Sequence, residues 1–173
     1  MFTRLAIFFG VSAVVLVAHK LGHYLVGRWV VGIPTAEIRL GVVTLLPSVS
    51  LRDGDRWVSP ASFEAYLTAY HAHDPELDRL PAYLAAGELA QTLAVVGIAG
   101  LGVASGAAIL AQSAILFSAM LVGYHLFTDL GRNLHLGHPT GNFSGLWHYT
   151  PAAAVLAFLA VVVPHAILYA VFI

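Results

Sequence analysis

Apolar residues along this chain gather into four long runs, and a membrane-spanning helix needs roughly 20 mostly apolar residues in a row. The first run extends from about Leu5 to Val31, broken only by His19, Lys20, His23 and Arg28. The second spans about Ala82 to Ala104, the third about Ala107 to Leu126, and the fourth Pro151 to Ile173. Ser105-Gly106 leaves a very short turn between the second and third. The first run is too long for a cleavable leader, and no small-residue cleavage site ends it before polar groups begin.

Two polar connections remain. In Gly32–Pro81, the stretch Thr35 to Val49 holds β-branched residues with Gly41 and Pro47, which predicts short strands or a hairpin. Asp53-Gly54 is a turn signal, and Ser59-Pro60 opens an expected amphipathic helix to about His73. The second connection, Asp129 to Thr150, is rich in Gly and His and is expected as a loop. With no internal repeat or low-complexity segment, residues 1–173 read as a single membrane-embedded domain. The expected fold class is an all-α polytopic membrane protein of about four transmembrane helices, with a small β-hairpin and an amphipathic helix in its first loop.

Composition strengthens this picture. Hydrophobic residues make up 59% of the 173 and charged residues only 10%, against about 25% charged in an ordinary soluble domain. So few charges cannot cover a soluble surface, and intrinsic disorder needs the opposite balance. A net charge of −1 without a basic run excludes a nucleic-acid partner. The chain has no cysteine, so a metal site has to use His and carboxylate ligands. Four spans place both connections on one side, with Arg39, Arg52, Arg56, Arg79 and Arg132, whereas the other side carries only Arg4. By the positive-inside rule the loop-bearing, active-site side is expected to be cytoplasmic.

Histidine is the unusual residue: nine, against eight Lys and Arg together. His19 and His23 stand at i and i+4 inside a span, hence on one helix face, and two imidazoles so placed supply half of a tetrahedral zinc shell. A third ligand has to come from elsewhere. Asp129, the only acidic residue after Glu88, lies at the end of the third span on the same membrane side. His125, four residues earlier, competes as a ligand or as a donor behind one.

The string His19-Lys20-Leu21-Gly22-His23-Tyr24 resembles the HExxH motif of the site-2 protease family of intramembrane zinc metalloproteases, usually written HELGHY. Two further stretches are similar in the same order. Ala85-Ala86-Gly87-Glu88-Leu89-Ala90-Gln91 resembles the family's A-G-P-x-A-N segment, with Glu88 and Gln91 in place of Pro and Asn. Phe127-Thr128-Asp129-Leu130-Gly131-Arg132 resembles its L-D-G-G-R segment, whose aspartate is the third zinc ligand. The matches cover roughly residues 5–135. The resemblance implies zinc held by His19, His23 and Asp129; the residues themselves add Glu88 and His125 as supporting groups or alternative ligands. It also implies transmembrane or juxtamembrane protein substrates, and a hairpin that would hold an unwound substrate by strand addition.

One departure matters most: the family's general-base glutamate falls at Lys20. Such a protease needs a carboxylate beside the metal-bound water, and an ammonium cannot accept a proton. A charge at mid-span costs about 2.5–3.5 kcal/mol on insertion scales, so Lys20 is expected to seek a carboxylate, first Asp129 and then Glu88. The chain as written is therefore expected to be an inactive metalloprotease. The alternatives are a non-catalytic pseudoprotease that captures substrate or binds metal, and a small transporter or proton relay. A transporter predicts internal two-fold symmetry, which the sequence lacks.

Overall fold

A computed structural model describes residues 2–43 and 46–173. Helix α1 (Phe2–Val26) continues as a π-helical turn over Gly27–Val31. Three strands follow, β1 (Ile38–Val43), β2 (Leu46–Asp53) and β3 (Arg56–Val58), then the helix α2 (Phe63–His71). Helices α3 (Leu80–Ala104), α4 (Ala108–Leu136), α5 (Asn142–Tyr149) and α6 (Pro151–Phe172) complete the chain. The stretch Phe2–Val31 and helices α3, α4 and α6 are each long and apolar enough to cross a membrane. The fold is an all-α polytopic membrane architecture with a small sheet, as the four apolar runs predict.

Two boundaries differ from the sequence expectation. Helix α4 runs ten residues past Leu126, to Leu136. At 1.5 Å per residue a 29-residue helix is about 44 Å long, so its polar end projects beyond a hydrocarbon core of about 30 Å. Polarity there marks the edge of the membrane, not the end of the helix. The expected loop also contains α5, which the Gly- and His-rich composition conceals.

The sheet is antiparallel in the order β1-β2-β3, with Ile38 opposite Leu51 and Leu51 opposite Val58. Sequence reading anticipates the first hairpin, whose tip lies outside the described residues. The Asp53-Gly54 signal makes a second one, pairing Asp53 with Arg56 around Gly54 at φ +60°. Leu51 and Val49 join Ile33, Ile38, Tyr66, Tyr70, Tyr83 and Leu146 in one apolar cluster, which fixes sheet and α2 against the spans. A second cluster, built on Val11, Val15, Val95, Ala99, Ala111 and Ile115, holds α1, α3 and α4 together towards the opposite end.

Small residues let α1 and α3 approach closely. A Cβ on Gly22 would overlap the Ala86 carbonyl oxygen and lie 2.6 Å from the Ala90 Cβ. Close backbone approach through small residues is how spans pack when lipid is as apolar as the helix surface. The outward faces carry Phe9, Leu93, Leu101, Met120, Leu156 and Val171, all exposed and apolar, as a lipid-facing girdle requires. Between the two apolar clusters lies a layer of buried polar side chains, and the candidate chemistry sits there.

Candidate metal centre

His19 and His23 are both buried on the face of α1 that meets α3. Their rings stand edge to face with centroids 5.1 Å apart. The α3 backbone can lie behind them because residue 87 is glycine: a Cβ there would overlap His23 Nε2 and come within 2.8 Å of His19 Cε1. His23 Nδ1 lies 2.8 Å from the Tyr83 carbonyl oxygen. A carbonyl only accepts, so Nδ1 carries the proton and Nε2 is bare. Asn142 Nδ2, at 3.2 Å, donates to that Nε2. His19 Nδ1 lies 3.1 Å from Gln91 Oε1.

Glu88 rises from α3 beneath the same rings, 1% exposed. Its Oε1 accepts from His125 Nδ1 at 2.9 Å, and its Oε2 lies 3.8 Å from His19 Nδ1. Oε2 is the one buried side-chain polar atom without a hydrogen-bond partner among the described residues. A buried polar atom left so costs roughly 1–3 kcal/mol. His19, Glu88 and His125 each offer a donor atom, and the three atoms lie within 4.8 Å of one another. With bonds of about 2.0–2.2 Å to nitrogen and oxygen, the three could hold one divalent ion after small side-chain shifts. The proton now between His125 and Glu88 would leave as the metal arrives, as metal binding to protonated ligands requires.

The residues expected as ligands thus divide. His19 belongs to this compact group. His23 stands beside it, with Nε2 bare but facing Asn142. Asp129 is buried and committed elsewhere: Oδ2 accepts the Ser144 backbone N–H at 2.8 Å, and Oδ1 accepts the Ser144 hydroxyl. Thr140 Oγ1 adds a longer contact at 3.4 Å. Asp129 therefore caps the start of α5, placing a carboxylate where the helix has free N–H groups and positive potential. Gly141 permits this, since a Cβ there would sit 2.8 Å from Asp129 Cγ. Nothing in the sequence announces that role, because it depends on a helix hidden in the expected loop.

Lys20 also departs from expectation. It lines the same cavity, but no carboxylate lies within ion-pair distance of it among the described residues. The expected partner Asp129 is saturated by Ser144 and Thr140, and Glu88 is turned towards the histidines. The cavity, about 270 Å³, is lined by His19, Lys20, His23 and His125, with Val49 of β2 and Asn142 of α5 at its margins. Tyr66 and Tyr83 line it too, hydroxyl against hydroxyl. Burial, and then Tyr83 beside it, holds the Tyr66 phenol well above its ordinary range, so it stays a neutral hydrogen-bonding group.

Comparison with known protein families, curated proteins and solved structures finds no match to this chain. Two further polar residues that the sequence does not single out are the buried Ser118 and the half-buried His165. The only signal available was a polar residue within each of two apolar runs.

Proposed function

We propose that the protein is a membrane-embedded zinc protein of the site-2 protease type. On this reading it captures transmembrane or juxtamembrane peptide segments in its polar cavity and, as written, does not hydrolyse them. One observation carries the proposal: His19, Glu88 and His125 converge within 4.8 Å, deep among four apolar helices. Two imidazoles and a carboxylate with an open fourth position are a catalytic-type zinc donor set, and they adjoin a cavity that reaches a strand. The HKLGH string, the A-G segment and the order of the matches support the protease-like scaffold. Lys20 opposes hydrolysis, because the position from which the family takes its base holds an ammonium.

Purified protein in detergent should carry about one zinc per chain by elemental analysis. It should leave a membrane-embedded reporter peptide uncut, whereas Lys20→Glu should cut it. Absence of bound zinc after reconstitution would refute the metal centre, and cleavage by the unaltered protein would refute the non-hydrolytic half. The arginine distribution further supports a cytoplasmic loop-bearing side. A C-terminal reporter active only in the cytoplasm should therefore stay silent, and a strong signal would reverse the orientation.

A further inference from the structure

Gln91, Ser118 and His165 are polar, lie inside three different spans, and have no part in the donor set. Gln91 and Ser118 are each 0% exposed. Burying an amide and a hydroxyl in a membrane bundle costs free energy unless each is fully bonded, and these are.

Their hydrogen bonds have a fixed direction, because two backbone carbonyls at known points can only accept. Gln91 Nε2 lies 3.3 Å from the Ser118 carbonyl oxygen and 2.7 Å from Ser118 Oγ. The amide nitrogen must therefore face Ser118, which turns Oε1 towards His19 at 3.1 Å. An amide oxygen cannot donate, so His19 Nδ1 carries the proton and its Nε2 is bare. At the far end, His165 Nδ1 lies 2.7 Å from the Val161 carbonyl oxygen, so that nitrogen donates too. His165 Nε2, 2.6 Å from Ser118 Oγ, then accepts the Ser118 hydroxyl proton in the neutral ring. This leaves the Ser118 lone pairs for Gln91. The chain runs from α3 through α4 to α6 without a conflict, and it ends on one nitrogen of one α1 histidine.

We infer that Gln91, Ser118 and His165 are positioning residues that lock His19 in its Nδ1–H tautomer and leave its Nε2 bare. A metal-binding imidazole needs its other nitrogen held by an acceptor, which sets ring orientation and tautomer together. His23 receives the same treatment from the Tyr83 carbonyl, so α3 prepares both α1 histidines alike. Helix α6 buries only Ala154, Ala157 and Val161, and His165 gives this otherwise lipid-facing helix a link to the site. The inference rests on the metal reading for its purpose, but its content is the state of an imidazole.

The test is nitrogen-15 NMR of histidine-labelled, metal-free protein in detergent, at a pH where imidazole is neutral. His19 should show a protonated Nδ1 and a bare Nε2. Gln91→Met, which keeps length but removes the acceptor, should leave a mixture of tautomers and lower zinc affinity by roughly 10–100-fold. Ser118→Ala and His165→Phe should shift the populations in the same direction by less, and Ser118→Thr, which keeps the hydroxyl, should restore them. A bare Nδ1 in the unaltered protein, or an unchanged His19 spectrum in Gln91→Met, would overturn the inference. An effect of Ser118→Ala with none from His165→Phe would overturn its α6 end. Because the tautomer is read without metal, failure to bind zinc would strike the functional reading and leave this result to be judged separately.

Discussion

If zinc binds as proposed, Gly87→Ala is expected to weaken its binding while leaving the membrane bundle assembled. The added Cβ would overlap His23 Nε2 and sit 2.8 Å from His19 Cε1, closer than carbon atoms pack. Neither ring can retreat cheaply, since His23 is tied to the Tyr83 carbonyl and His19 to Gln91. Either the rings break those bonds or α1 and α3 move apart, and overpacking of this kind costs about 1–3 kcal/mol. Zinc affinity should fall by at least about 10-fold, the scale for misplacing a ligand through its surroundings, with helical content by circular dichroism unchanged. Gly97→Ala, on the same helix but with nothing within 4 Å of its new Cβ, should keep full metal content. Equal zinc in Gly87→Ala and the unaltered protein would mean that the histidines beneath Gly87 are not where the metal binds.

That contrast shows what kind of information the sequence held. Apolar run length fixes the four spans, since nothing else satisfies twenty-odd backbone amides in hydrocarbon. The i, i+4 spacing of His19 and His23 places both on one face before any coordinate is known. Which partners those rings find is a different matter, because it depends on the rotation of α3 against α1. Rotation is set by Gly22 against Ala86 and Ala90 and by Gly87 against His19 and His23, and such packing leaves only a weak trace in sequence. Glu88 therefore read as a substituent in a motif, whereas in the fold it is the carboxylate nearest the histidines. Asp129 read as the available acid, whereas α5 engages both its oxygens. Gly141, Ser144 and Gly145 disguise the short α5 as loop, although Asp129 and Ser144 together cap its start.

Glu88→Gln is expected to cost metal affinity while leaving metal-free stability almost where it was. The glutamine is nearly isosteric, and its Oε1 can still accept the His125 Nδ1 proton at the present 2.9 Å. Oε2, which has no hydrogen-bond partner among the described residues, is exchanged for an amide nitrogen that finds no acceptor there either, since His19 Nδ1, 3.8 Å away, already carries a proton. One unpaired buried group replaces another, so the thermal stability of chelator-treated protein should change by less than about 1 kcal/mol. The same change deletes the carboxylate that, among the described residues, groups with His19 and His125. Loss of a carboxylate ligand should lower zinc affinity by about 100-fold or more, which at 1.4 kcal/mol per tenfold is about 2.8 kcal/mol. Zinc titration and thermal unfolding of the same preparations check both quantities. A residue kept only to brace His125 would behave otherwise: glutamine still accepts the His125 proton, so zinc affinity would stay where it was. Loss of metal without loss of stability is the mark of a group kept in place because a ligand needs it there.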